Sequence, residues 1–300
     1  MLLIQPFLEY LSLEKKYSPH TIISYKNDLN AFSEFLLKTY NISSLKEVHY
    51  SQIRNWIIKL VETKISNRSI NRKMSSLKSF YKFLIKIKEI PESPLQKHKS
   101  LKVPKRINVP FNKNEIETVL LNLDSNEDFE SLRNKLMVEL FYSTGIRRAE
   151  LINLKVNDVD LIQKIIKVLG KRNKERYIPL LQMLQVSINQ YLIIRRKFSK
   201  ESKYFFITKK GNKLYGTLVY RVINMYFSSV SSKVKKSPHI LRHAFATHLL
   251  NEGADLNAVK ELLGHASLAS TQVYINSTLK ELKNVYNRAH PRSSSKKVIV

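Results

Sequence analysis

The chain has 300 residues, of which 52 are Lys or Arg and 24 are Asp or Glu, giving a formal net charge of +28. This imbalance favours a polyanionic partner, although biased genome composition would also enrich lysine. The absence of cysteine excludes disulfides, thiolate zinc sites and a cysteine nucleophile. No apolar run approaches the roughly 20 residues of a membrane span, and no secretion signal is visible. We therefore expect a cytoplasmic protein without a membrane partner.

The basic residues are spread along the whole chain. Twenty basic and eight acidic residues precede Phe111, and 32 basic and 16 acidic residues follow from there. The length suits two domains of ordinary size, each able to bury a core. We predict a helical domain over residues 1–95, a basic linker over 96–110, a second domain over 111–290 and a basic tail over 291–300.

The first domain is predicted to consist of helices. Ser18-Pro19 is typical of a helix start, with Ser18 as N-cap and Pro19 in the first turn. Apolar residues then recur at helical spacing as far as Leu36, and a second apolar stripe covers residues 53–60. A third helix is predicted from Asn67 to Glu89.

The third helix combines an apolar stripe with many basic residues. The stripe predicts a buried face. The basic residues form either an ordinary solvated face or a set of phosphate contacts. Because few acidic residues accompany them, we favour phosphate contact, and the residues predicted to make it are Arg68, Arg72, Lys73 and Lys78.

The second domain begins after a stretch with four prolines, residues 91–110, which suits a linker. Asn112 or Asn114 is expected to cap its first helix. A further helix should end at Gly145, in the left-handed conformation. Two β-rich runs at 165–169 and 177–180 then predict a hairpin, whose turn contains Lys171. The expected fold class is mainly α with a small antiparallel β-sheet.

Ser237-Pro238 repeats the helix-start signal and places His239 and Arg242 on one face of the next helix. The partial positive charge of a helix N-terminus makes this position favourable for a phosphate. His243 would suit a zinc pair with His239, but no carboxylate lies between them as in zinc hydrolases. We therefore predict no metal and no cofactor.

A short helix capped by Asp255 is expected to end at Gly264, immediately before His265. A further helix is predicted to begin just before Tyr274. Taken alone, Tyr274 is readily explained as a packing aromatic. Cationic groups that can hold a phosphate diester, together with a phenol that can attack it, predict a site that cleaves a nucleic-acid strand without a metal.

These motifs resemble those of the tyrosine recombinases, the phage integrase family, and within it the Xer-type bacterial recombinases. The resemblance covers nearly the whole chain. It implies a SAM-like core-binding domain and a mixed α/β catalytic domain that close as a C-shaped clamp on double-stranded DNA. The segments that carry it are 14–32, 144–151, 170–176, 237–248, and 263–268 with 271–274.

The resemblance also implies roles for individual residues. Tyr274 would be the nucleophile that forms a 3′-phosphotyrosyl link, and Arg147 and Arg242 would hold the scissile phosphate. Arg147 is preferred over Arg148 because a three-residue step separates it from Glu150, which would help set the hydrogen bonding of the site.

The proton-transfer residues are implied in the same way. Lys171 would be the general acid, and it is preferred over Lys174 because it follows Gly170. His239 and His265 would assist by hydrogen bonding and proton handling. One departure is Asn276, which stands where relatives often have a histidine.

The implied biological role is resolution of chromosome dimers at cell division, through a Holliday junction and four protomers. The implied partners are a second Xer-type recombinase, unless the tetramer is homomeric, and a DNA translocase activator. Leu279, Leu282 and Val285 would dock on a neighbouring protomer or fold back on their own chain. The alternatives are a mobile-element or phage-type integrase with the same chemistry, a non-catalytic DNA-binding relative and, more distantly, a type IB topoisomerase.

Overall fold

A computed structural model of the chain describes residues 3–104, 109–123, 128–170, 175–233, 236–264 and 283–293. The chain divides into two compact units, Met1–Arg106 and Ile107–Val300. Each unit has its own apolar core. None of the helices within these described ranges is both long and apolar enough to span a membrane.

Residues 3–104 of the first unit form four helices that bury their apolar faces against one another: α1 (Ile4–Leu13), α2 (Pro19–Tyr40), α3 (Tyr50–Glu62) and α4 (Asn67–Lys86). The predicted start of α2 is confirmed, since the Ser18 side chain accepts a hydrogen bond from the Thr21 backbone N–H at 3.3 Å. Helix α4 ends three residues earlier than expected. The reason is that the chain turns through Lys88, whose φ of 59° is left-handed.

Part of the predicted linker is attached to α4. The Asn71 side chain bonds both backbone groups of Leu101, accepting from its N–H at 2.9 Å and donating to its carbonyl at 2.8 Å. Lys78 donates to the carbonyl of His98, which is itself buried. The segment up to about residue 102 therefore packs on the first unit without forming a helix or strand.

The second unit surrounds a helix, α6, that is buried on nearly all its faces and packs against α8 and α10. Residues 283–289 are also helical. The helices and strands of this unit are α5 (Lys113–Asn122), α6 (Phe129–Thr144), α7 (Arg148–Asn153), β1 (Val159–Asp160), β2 (Ile165–Leu169), β3 (Glu175–Pro179), α8 (Gln182–Arg195), α9 (Gly216–Ser228), α10 (Pro238–Asn251) and α11 (Leu256–Leu263).

The strands form one antiparallel sheet in the order β1-β2-β3. The predicted hairpin is confirmed, with Ile166 opposite Ile178 and Val168 opposite Arg176. Residues 171–174 of its turn lie outside the described residues. Strand β1 was not predicted, because two residues are too few for an alternating pattern to show.

The C-terminal segment, residues 283–293, packs on α6 of its own chain. Tyr286 is fully buried and donates a hydrogen bond to the Ser143 carbonyl. Val285 contacts the same core, whereas Leu279 and Leu282 lie outside the described residues. Arg292, in the first part of the predicted tail, forms an ion pair with Glu139 at 3.5 Å.

Candidate active site

A glycine turn after α6 brings three helices together. Gly145 has a φ of 58°, which confirms the predicted left-handed end of α6. A Cβ at this position would lie 2.5 Å from Phe245 Cδ1 and 2.8 Å from Leu263 Cδ2. Only glycine therefore allows α10 and α11 to pack this closely against the turn.

Arg147 follows this turn as the N-cap residue of α7. Its Nη1 donates to Glu150 Oε1 at 2.7 Å, and its backbone N–H donates to Glu150 Oε2 at 2.8 Å. Its Nη2 donates to the Gly264 carbonyl at 3.0 Å. The Arg147 side chain remains 32% exposed, against 4% for Glu150. The neighbouring Arg148 is exposed at the start of α7. Arg147 is thus the arginine that combines a buried support with a solvent-facing edge.

Arg242 reaches the same turn from α10. This helix begins at Pro238, as predicted. The Arg242 guanidinium is buried and donates to the Gly145 carbonyl and, at 2.6 Å, to the Leu263 carbonyl. Two arginines that are far apart in sequence therefore meet at the ends of α6 and α11.

A third arginine, Arg176 of β3, completes the cluster. It forms a two-bond pair with Glu150, from Nη1 to Oε1 at 2.8 Å and from Nη2 to Oε2 at 2.9 Å. Sequence reasoning missed this residue. A signal was present, because strand alternation places Arg176 on the same face as Ile178, which is buried. A charged residue on the buried face of a strand requires a partner.

The C-terminal end of α11 is the point that all three arginines share. Asp255 caps the start of this helix and Gly264 ends it with a φ of 63°, both as predicted. The last carbonyls, of residues 262, 263 and 264, accept hydrogen bonds from Arg176, Arg242 and Arg147 in turn. Helix C-termini expose unpaired carbonyls and carry partial negative charge, so cations are favoured there.

The cluster lowers the pKa of both Glu150 and Arg242, which favours the charged form of the carboxyl and disfavours that of the guanidinium. Burial alone would raise the pKa of Glu150, but hydrogen bonds and charge from Arg176, with hydrogen bonds from Arg147, lower it to about 2. Burial, and then the positive charges of Arg147 and Arg176, lower the pKa of Arg242 to about 10. The site therefore holds a fully ionised carboxylate and more positive than negative charge.

Of the other predicted site residues, only some lie within the described part of the chain. His239 and His243 are exposed on α10, with His239 one turn before Arg242. Across the portion of the chain that the structure describes, no three His, Cys, Asp or Glu side chains cluster as metal ligands. Lys171, His265 and Tyr274 lie outside the described residues, and their roles stay predictions.

The predicted DNA-contacting residues all lie on α4, and three of them have intramolecular partners. Arg72 donates two hydrogen bonds to the buried Asp28 of α2, at 2.6 and 2.8 Å, and Lys73 donates a third at 3.0 Å. Lys78 donates a hydrogen bond to the backbone carbonyl of His98, whereas Arg68 is exposed. Contact with DNA stays a prediction for all four.

Comparison with known proteins identifies the family. The model of the phage integrase family matches residues 110–281, and that of the phage integrase N-terminal SAM-like domain matches residues 4–88. The chain belongs to the phage integrase family. The site described above lies within the first match.

Similar curated proteins are called tyrosine recombinase XerC. The one from Anoxybacillus flavithermus is 40% identical over 292 residues, covering 96% of this chain and 97% of that protein. The one from Bacillus subtilis is 36% identical over 298 residues and covers 98% and 97%. The chain is thus a Xer-type tyrosine recombinase, an enzyme that breaks and rejoins DNA strands.

Solved structures share the fold. The XerH site-specific recombinase bound to difH substrate, in a pre-cleavage complex, has a TM-score of 0.67 at 22% identity and covers 95% of this chain and 92% of that one. The Tn1549 transposon integrase in complex with circular intermediate DNA has a TM-score of 0.68 at 19% identity, with 93% and 98% covered. At these identities the likeness concerns the fold alone.

Proposed function

We propose that the chain is a site-specific recombinase that cuts and rejoins double-stranded DNA through a covalent 3′-phosphotyrosyl intermediate. The observation that carries the proposal is the meeting of Arg147 and Arg242 at residues 263 and 264. The net charge of +28 supports a DNA partner. So does the structurally similar Tn1549 transposon integrase, which is in complex with circular intermediate DNA.

In the proposed reaction the phenol oxygen of Tyr274 attacks the scissile phosphorus, and the bond from phosphorus to the 5′ oxygen breaks. The 3′ end is then esterified to the tyrosine, and a 5′ hydroxyl is released. Because this ester keeps the energy of the broken diester, attack by a 5′ hydroxyl reverses the step. The reaction therefore needs neither ATP nor a metal.

The arginines supply electrostatic stabilisation in this scheme. Arg147 and Arg242 donate to the non-bridging oxygens, where negative charge grows in the transition state. Lys171 protonates the departing 5′ oxygen, and His239 and His265 assist by hydrogen bonding and proton handling. The excess of positive over negative charge around Glu150 supports an anionic ligand at this place.

The biological role that we propose is resolution of chromosome dimers at cell division, within the cytoplasm. Four protomers would exchange strands through a Holliday junction, either as one kind of chain or with a second Xer-type recombinase. A DNA translocase would activate the assembly. The support is the set of relatives named XerC that match nearly the full chain.

The decisive experiment traps the intermediate on a nicked target duplex, from which the cleaved strand fragment diffuses away and religation is prevented. The intact chain should accumulate a covalent adduct, whereas Tyr274→Phe should bind the duplex and form none. Tyr220→Phe, at an exposed tyrosine of α9, is the matched control and should form the adduct normally. An adduct from Tyr274→Phe, or attachment through another residue, would refute the proposal.

A further inference from the structure

Arg176 is the member of the arginine cluster with no part in the reaction scheme above. We propose that Arg176 is a positioning residue: by engaging both oxygens of Glu150, it leaves the Arg147 guanidinium to the DNA phosphate. The inference rests on the proposed function. It identifies what prevents Arg147 from pairing fully with Glu150 and so losing its contact with the phosphate.

The inference is carried by the four hydrogen bonds that the described residues make to the Glu150 carboxylate. Arg176 supplies one to each oxygen, at 2.8 and 2.9 Å. The backbone N–H of Arg147 supplies the third, so the Arg147 guanidinium supplies only one of the four. The carboxylate is therefore satisfied chiefly by groups other than that guanidinium.

Removal of Arg176 would leave a buried carboxylate short of two donors. Such a group is costly, and the nearest remaining cation among the described residues would turn toward it. That cation is Arg147, whose guanidinium can adopt the paired arrangement that Arg176 vacates. Captured in this way, Arg147 would be withdrawn from the phosphate.

The Arg176 side chain is also fixed by contacts other than those with Glu150. Its Nε donates to the Leu262 carbonyl at 3.0 Å, and only 11% of the side chain is exposed. A Cβ at Gly264 would lie 3.0 Å from Arg176 Cδ. Because it is packed between β3 and the end of α11, Arg176 is built as a support for Glu150 and not as a surface contact for DNA.

The test uses the full chain with three variants: Arg176→Met, Glu150→Gln and the double substitution. Lys167→Met is the matched control, because Lys167 is on the same hairpin and pairs with the exposed Glu175. For each chain one measures the rate of adduct formation at saturating protein, the Kd for an uncut duplex and the melting temperature. A separate arm without DNA measures labelling of Arg147 by a guanidinium-specific dicarbonyl reagent, with mass spectrometry of the peptides.

We expect Arg176→Met to slow adduct formation about tenfold or more, with Kd changed no more than about twofold, since many other phosphate contacts remain. Adding Glu150→Gln should restore most of the rate, because the charge that captures Arg147 is gone. Acidification should speed Arg176→Met relative to the intact chain, as burial then raises the pKa of Glu150 and protonation neutralises it. Labelling of Arg147 should fall in Arg176→Met, recover in the double variant and stay unchanged in Lys167→Met.

Three results would overturn the inference. A double variant no faster than Arg176→Met would mean that Arg176 acts independently of Glu150. A parallel loss of rate and duplex affinity would make Arg176 a DNA contact. A fall in melting temperature with unchanged rate and labelling would make it purely structural. If the intact chain forms no adduct, the proposed function fails, and the labelling arm still decides whether Arg176 controls Arg147.

Discussion

Each unit of the protein contains a buried carboxylate held by two cations, and the two clusters serve different ends. In the first unit Asp28 of α2 accepts from Arg72 and Lys73 of α4, and from Ser76 at 2.8 Å. All these partners are side chains of one neighbouring helix. The cluster therefore fastens α4 to α2.

The cluster in the second unit is built on backbone carbonyls and has one cation more. Arg242 is buried beside Arg147 and Arg176, and among the described residues it pairs with no carboxylate of its own. Its lowered pKa, caused by burial and by these neighbours, records the resulting repulsion. A cluster whose cations all bind its carboxylate stabilises packing, whereas an additional arginine held by carbonyls introduces repulsion that the proposed anionic ligand would relieve.

The largest expected effect is on the rate of adduct formation, and it should distinguish Arg242 from a buried arginine outside the cluster. Arg242→Ala should slow adduct formation roughly a hundred- to a thousandfold, because it removes a proposed donor to the transition state. Its control is Arg195→Ala, since Arg195 is also buried and donates to carbonyls, among them Phe205 and Ser202, in another part of the unit. Rates are compared per folded molecule. Equal losses in both variants would mean that Arg242 acts through folding.

The opposite behaviour is expected of the Asp28 cluster. Asp28→Asn should destabilise the first unit by about 1–3 kcal/mol and leave the cleavage rate of folded protein nearly unchanged. Trp56, the single tryptophan, lies in this unit near Lys73, so its fluorescence reports unfolding within the full chain.

The same cluster predicts a dependence on pH. Burial would raise the pKa of Asp28, but hydrogen bonds from Arg72, Ser76 and Lys73 lower it overall. Its stabilisation is thus complete above the ordinary aspartate pKa of roughly 3.9 and is lost as pH falls through the lower folded value. Asp28→Asn should lack this acid-sensitive contribution. If the free energy of unfolding of Asp28→Asn falls on acidification as much as that of the intact chain, Asp28 is not the source of this pH dependence.

Two glycines sharpen the comparison further, because both have positive φ but only one touches an arginine. Gly264 has a φ of 63° and packs on Arg176, whereas Gly253 has a φ of 84° with nothing within 4 Å of a Cβ. Alanine at either position should cost about 1 kcal/mol of stability through backbone strain. Only Gly264→Ala should also slow adduct formation, by about tenfold, through displacement of the cluster. Matching rates for the two variants would show that the packing at Gly264 is irrelevant to cleavage.

The smallest effect concerns α4. Arg68→Ala should reduce the slope of log affinity against log salt by about one, as expected for one lost phosphate contact. Arg72→Ala should reduce it less, because the Arg72 guanidinium is bound by Asp28, and should destabilise the first unit. A titration of duplex binding at several salt concentrations measures both slopes.

Local chemistry made much of the fold predictable. Ser18, Asp255, Gly145 and Gly264 mark helix ends through capping bonds and left-handed backbone, which depend on a few neighbouring residues. The β2–β3 hairpin was predictable for the same reason, because the residue pattern of each strand is local. By contrast, Arg176 and Glu150 meet from different elements, and no pattern along one segment reveals their pairing.

The basic residues of α4 illustrate the same limit. Their number favoured a phosphate-contacting face. A single acid, Asp28, lies 44 residues before Arg72 in the chain and binds two of them. Whether a basic stripe is solvated, paired or bound to a ligand depends on the helix that packs against it, which periodicity does not reveal.

The contact between Tyr286 and the Ser143 carbonyl joins the helical residues 283–289 to the end of α6, next to the turn that precedes Arg147. His290 is buried beside Tyr142 in the same place. During translation, the second unit cannot close this part of its core until residues 286–290 have left the ribosome. A nascent chain that stops before Tyr286 would therefore carry a finished first unit beside an open second core, so the turn that holds the arginines becomes fully packed late in synthesis.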